Sequence, residues 1–205
     1  MKKQLMLAWN SSNKIIGNML EIACTILGLI QGVLVLLNKR SNWIVYAIQM
    51  AALVVFSFVN KLYGDMVQNF FYMFICIASF FLWKEGNTFD KIRRLNWRSI
   101  IIVVVIAIIA ILSVGHGLSQ TDDPLPYLDA STTVTTIIAL ILMSTRTIEC
   151  WIVWFINDIL YIIQYYSLPD QAFYLMMLNI IWTVMAIISF INWLKIYKSY
   201  SYEQN

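Results

Sequence analysis

Long apolar runs, separated by short polar or basic stretches, recur from one end of the chain to the other. A helix rises ~1.5 Å per residue, so ~20 apolar residues cross the ~30 Å of hydrocarbon in a bilayer. The pattern predicts seven such crossings, at about 15–37, 43–60, 65–83, 99–115, 129–144, 149–166 and 171–194. The fifth, "DASTTVTTIIALILM", is short and rich in Thr. A Thr hydroxyl can bond a preceding carbonyl of its own helix and so enter a bundle without an outside partner. Before the first crossing, "MKKQLMLAWNSSNK" is expected to form a short interfacial helix, residues 1–14, anchored by Trp9. The first apolar run is too long for a removable signal peptide and is followed by no small-residue cleavage site, so it is expected to stay in the mature chain.

Polar residues inside these crossings fall on stripes. On the sixth, Trp151, Trp154, Asp158, Tyr161 and Tyr165 follow steps of three and four, with Asn157 and Gln164 on the flank. The third offers Asp65, Gln68 or Asn69, Tyr72, Cys76, Ser79 and Trp83; the seventh offers Asn179, Trp182, Ala186, Ser189 and Trp193. The first contributes Asn18, Glu21, Thr25, Gly28 and Gly32. Unpaired amides and acids are costly in hydrocarbon, which turns such stripes toward the bundle interior or a watery cavity. Helix-to-helix hydrogen bonding is the plain alternative for any one of them. Taken together, aromatic faces beside amides suit a flat heterocycle that carries hydroxyls. Gln49, Gln68, Asn69, Tyr72, Asn157 and Asn179 are the expected polar contacts of such a solute, and Trp154 and Trp182 its ring faces.

The stripes belong to a longer repetition. "SNWIVYAIQ" at 41–49 returns 108 positions later as "ECWIVWFIN", which pairs Trp43 with Trp151 and Gln49 with Asn157. At the same offset Glu21 falls on Asp129 and Thr25 on Thr133. Past the phrase the offset becomes 110, and Asn69 meets Asn179, Tyr72 meets Trp182 and Trp83 meets Trp193. Crossings one to three thus resemble crossings five to seven. The predicted fold is all-α and integral to the membrane: two parallel three-helix repeats, 15–84 and 129–195, joined by a linker helix in a 3+1+3 order. An odd linker leaves both repeats in the same orientation, with substrate sites near the midplane between them.

Composition removes the soluble alternatives. Apolar residues make up 60% of the 205 and charged ones only 12%, against ~25% charged in a soluble domain. Seven crossings put Lys39, Arg40, Lys84, Lys91, Arg93, Arg94, Arg98, Arg146, Lys195 and Lys198 on one side, ten of the 14 basic residues. That side is expected to be cytoplasmic, with the basic loop and linker helix at 85–115 and the tail at 196–205. The loop 116–128, "HGLSQTDDPLPYL", has no Lys or Arg and is expected outside, as is the N-terminus. A multi-pass protein of the cell membrane follows. The basic run "KIRRLNWR" reads as a topology signal beside anionic lipid, not as a nucleic-acid contact. Cys24, Cys76 and Cys150 lie at no metal-ligand spacing and read as small core residues. His116 stands on a loop near Asp122 and Asp123, which a solvated loop explains better than a metal site. No nucleophile with a partnered base and no phosphate-cradling Gly-rich loop are seen, so neither an enzyme nor a cofactor is expected.

The phrases "NKRSNWIVYAIQ", "LYGDMVQNFFY", "LPYLDASTT" and "RTIECWIVWFINDILYIIQYY" resemble the PnuC family of nicotinamide riboside and B-vitamin transporters over about residues 20–195. The resemblance implies a SWEET-like core of two three-helix bundles and a uniporter working by facilitated diffusion. It also implies a cytoplasmic kinase that traps the solute and a homo-oligomer, a trimer. Where the family's nicotinamide riboside members end the third crossing in a "YGWW"-like text, this chain has "ICIASFFLW", and thiamine, riboflavin or deoxynucleosides are alternative cargoes. Asp158 is expected in a structural hydrogen-bonding role or as the countercharge to a positively charged ring.

Overall fold

A computed structural model of the chain describes residues 2–36, 39–82, 92–145, 147–168 and 170–202, with side chains described for these except 2–14, 35, 36, 82, 144 and 200–202. Trp83, Lys84, Lys91 and Arg146, singled out above, lie outside the described residues. Seven helices follow in order: α1 (Lys2–Leu36), α2 (Asn42–Val59), α3 (Tyr63–Leu82), α4 (Trp97–Leu118), α5 (Pro126–Ser144), α6 (Cys150–Ser167) and α7 (Phe173–Tyr202). Each predicted crossing coincides with one of them. Among the described residues no β-strand forms, and a single bridge pairs Arg93 with Thr147.

Six of the helices contain a stretch long and apolar enough to cross a membrane, and α6 is the one outside that set. Asn157, Asp158, Gln164 and a run of tyrosines and tryptophans account for its lower hydropathy. Trp154 and Asn157 among them are expected to meet a solute. α1 runs unbroken for 35 residues, about 52 Å at ~1.5 Å per residue, so the N-terminal segment and the first crossing form one continuous helix.

Local signals explain the helix ends. Asn96 caps α4 by accepting from Ser99 N at 2.8 Å, and Pro126 opens α5 in the first turn, where a missing N–H costs nothing. α1, α2 and α5 all close with an amide reaching five residues back: Lys39 N to Leu34 O, Leu62 N to Ser57 O and Thr147 N to Leu142 O, each 2.9 Å. In α2 the motif is complete, since Lys61 N also donates to Phe58 O at 3.2 Å and Lys61 takes the left-handed φ of 60°. A non-glycine residue there costs ~1 kcal/mol. The fully buried Leu62 that follows helps to offset it.

The chain gathers into two compact units, one of residues 1–86 with 165–178, the other of 87–164 with 179–205. In the first, α1 packs on α2 and α2 on α3, around Cys24, Leu53, Phe56, Leu62 and Cys76. Phe56 meets Tyr165 edge-on at 6.1 Å. In the second, α4 packs on α5, where a Cβ on Gly115 would run into the ring of Tyr127. Gly115 is the one buried residue of α4, most of whose Ile and Val side chains stand exposed. Ile148 N donates to Arg93 O at 3.0 Å, and Glu149 accepts from Leu95 N at 3.1 Å and faces Arg94 Nε at 3.4 Å. These bonds tie the segment before α4 to the segment before α6.

Burial in α3 shows which solvent these helices meet. Asp65, Gln68, Asn69 and Tyr72 are buried, while Val67, Phe70, Phe71 and Phe74 are exposed. Polar residues inside and large apolar ones outside invert the soluble pattern and fit a hydrocarbon surrounding.

Candidate functional site

Four of the residues expected to contact a solute lie in the first unit. Gln49 on α2 is 1% exposed and donates from Nε2 to Cys24 O on α1 at 3.0 Å. Room for its long side chain comes from Gly28, where a Cβ would stand 2.7 Å from Gln49 Nε2 and 2.6 Å from Leu178 Cδ2. Gln49 Oε1 is buried with no hydrogen-bond partner among the described residues. On α3, spacings of three and four bring Gln68, Asn69 and Tyr72 to the buried face. Tyr72 packs edge-on against Tyr46 of α2, with ring centroids 5.1 Å apart at 63°. Amide and phenol groups are therefore buried on both α2 and α3.

The other four, with Asp158, lie in the second unit. Asn157 on α6 is 1% exposed, and its Oδ1 stands 2.7 Å from Thr135 Oγ1 and 3.3 Å from Thr136 Oγ1, both on α5. The Thr135 hydroxyl has one proton and also lies 2.6 Å from Ser131 O and 3.2 Å from Thr132 O. Helix carbonyls and amide thus compete for it, and an amide turned nitrogen-first satisfies both at once. Asn179 is buried near the first turns of α7, where its carbonyl accepts from Thr183 Oγ1 at 2.8 Å. Trp154 and Trp182 are half-buried, so each ring keeps surface to offer. Trp151 and Trp193, the neighbouring positions of the same stripes, meet edge-on at 5.5 Å.

Asp158 is buried, yet its carboxylate makes no hydrogen bond or ion pair among the described residues. The structural hydrogen-bonding role expected for it finds no partner there. No group of His, Cys, Asp and Glu that could hold a metal ion occurs among the described residues.

Two features escaped the reading of the stripes. Glu21 on α1 accepts from Tyr174 N at 2.5 Å and Leu175 N at 3.4 Å, and so caps the start of α7 within the first unit. The hydroxyls that hold Asn157 come from a Thr-rich helix read only as self-bonding. The signal for Glu21 was present in the repeated acid at 21 and 129, but nothing in the sequence names its partner 153 residues away.

Residues 18–195 match the family model described as nicotinamide mononucleotide transporter. A curated relative from Neisseria mucosa, named nicotinamide riboside transporter PnuC, is 26% identical over 177 residues, which cover 80% of this chain and 67% of the relative. The crystal structure of the Vitamin B3 transporter PnuC has a similar fold, with a TM-score of 0.64 and 24% identity, over 96% of this chain and 87% of that one.

Proposed function

The chain belongs to the nicotinamide mononucleotide transporter family, and from that premise we propose that it is a cell-membrane transporter that imports nicotinamide riboside. The family match over most of the chain carries this reading. The buried amides and flanking aromatic rings of α2, α3, α6 and α7 support it, because a ribosylated pyridinium offers a ring face, ring and amide hydrogen-bonding groups, and hydroxyls. Gln49, Gln68, Asn69, Tyr72, Asn157 and Asn179 supply the polar contacts and Trp154 and Trp182 the ring faces. Asp158, a buried acid beside Asn157 with no bonded partner among the described residues, is the countercharge for the pyridinium.

Transport is uniport, since Asp158 is the one acid near the middle of a crossing and a coupled carrier needs a richer set of ionisable or oxygen ligands. Two parallel three-helix repeats around α4 rock about a midplane site, the N-terminus lies outside and the C-terminus in the cytoplasm, and the chains assemble as a trimer. Phosphorylation inside the cell traps the solute. Proteoliposomes should equilibrate nicotinamide riboside and accumulate it only when a riboside kinase and ATP are enclosed. Concentration driven by an imposed proton or sodium gradient without kinase would overturn uniport. A binding panel in which thiamine, riboflavin or a deoxynucleoside binds and nicotinamide riboside does not would overturn the cargo.

A further inference from the structure

An open groove of about 420 Å³ runs between α2 and α3 on the outer face of the first unit. Its α2 wall is Trp43, Ala47 and Ala51, one turn apart, where two alanines leave a trough. Its α3 wall is Met73, Ile77 and Phe80. No polar side chain lines it. From Trp43 to Ala51 is eight residues, ~12 Å at ~1.5 Å per residue, close to the ~15 Å of hydrocarbon in one leaflet of a ~30 Å core. The groove is therefore confined to the leaflet that holds the start of α2.

A positive charge sits at its end. The guanidinium of Arg40, two residues before α2, lies 4.1 Å over the Phe80 ring that forms part of the wall, and Arg40 Nε donates to Phe80 O. Lys39 beside it is exposed. Both positions fall where the phosphates of that leaflet begin. An arginine fork matches phosphate geometry, and basic residues at this depth attract anionic headgroups.

We propose that this groove binds one acyl chain of an anionic phospholipid, with its phosphate held by Arg40 and Lys39. A groove one leaflet long, lined by apolar side chains and closed by a cation at the headgroup level, matches an acyl chain in length and its phosphate in charge. A second copy of the chain would bring a bulky helix and has no use for the cation. The site is separate from the buried stripes and does not depend on which solute is carried.

Native mass spectrometry of the purified chain with added palmitoyl-oleoyl phosphatidylglycerol or phosphatidylcholine tests it. The native chain should retain phosphatidylglycerol under activation that strips phosphatidylcholine. Arg40→Gln should reduce that preference roughly 5-fold, the share of one basic residue near the surface. Ala47→Phe and Ala51→Phe, which fill the trough, should lose the bound lipid. As a measurement that needs no filled groove, phosphatidylglycerol brominated on its acyl chain should quench tryptophan fluorescence of the native chain, and quench Trp43→Phe less. Equal retention of the two lipids by the native chain, or quenching unchanged in Trp43→Phe, would overturn the site. So would filled variants that keep their lipid but lose their oligomeric mass, which would give the groove to a second copy.

Discussion

The corner from α1 to α2 and the corner from α5 to α6 share a backbone and differ in the side chains that close it. Lys39 N to Leu34 O is matched 108 positions later by Thr147 N to Leu142 O. Trp43 N to Arg40 O, at 3.2 Å, is matched by Trp151 N to Ile148 O at 3.1 Å, and Val45 N to Ser41 O, at 3.3 Å, by Val153 N to Glu149 O at 3.2 Å. Each corner then places a buried amide against the preceding helix. In the first it is a long Gln49 over Gly28, bonded to the carbonyl of Cys24. In the second it is a shorter Asn157 against Thr136, the repeat position of Gly28, bonded to hydroxyls. Side-chain length lost on one helix is regained on its neighbour. The repeat thus keeps the place of an amide and exchanges the means of holding it.

The largest effect should come from removing the amides. Asn157→Leu takes away both a donor and an acceptor, which costs ~1–3 kcal/mol of binding, roughly a 5- to 150-fold rise in the Kd for nicotinamide riboside by calorimetry. Gln49→Leu should do the same if the two corners serve one solute. A folded Gln49→Leu protein with unaltered affinity would break the comparison and leave that amide to helix packing.

A smaller, structural effect should follow from making one corner imitate the other. Gly28→Thr crowds Gln49 and Leu178, and overpacking of this kind costs ~1–3 kcal/mol in thermal unfolding. Adding Gln49→Asn shortens the amide and should recover stability, with a coupling of at least ~0.5 kcal/mol. Strictly additive losses would show that the exchange of lengths is coincidental.

The smallest concerns the acids. Glu21→Gln keeps an acceptor for Tyr174 and Leu175 but removes the charge at the start of α7, a loss of ~0.3–1 kcal/mol. Asp129→Asn sharpens the point. A similar loss in unfolding free energy would extend the correspondence to the acids, and no loss would confine it to the amides.

What was legible in the sequence follows from what lipid demands. Apolar runs near 20 residues admit only helices, so α2 to α6 could be read within a few residues of their ends, whereas α1 begins at Lys2 and α7 runs to Tyr202, each well beyond its apolar run. The stripes of α3 and α6 were legible because a membrane leaves polar groups nowhere else to go, and Gln68, Asn69, Asn157 and Asp158 are buried as that reasoning requires. Contacts between distant segments were not legible. Glu21 could have been one more polar residue on a stripe, and only the packed first unit shows it at the start of α7. The left-handed turn at Lys61 was hidden for another reason, since the usual glycine is absent and the buried Leu62 after it takes over the stabilising role. The division of α6 and α7 between two compact units, at Gln164 and Leu178, depends on which side chains meet, which no local pattern encodes.

The burial of Cys24, Cys76 and Cys150, each 0% exposed and each a free thiol, has a use at the bench. A maleimide or spin label applied to the native chain meets no accessible sulfur, so the protein is spectroscopically silent to thiol reagents as it stands. A cysteine introduced at Asp122 or at Arg93, both exposed, would carry the only reactive label. Each loop could then be assigned to its face of the membrane without first stripping three residues from the core they fill.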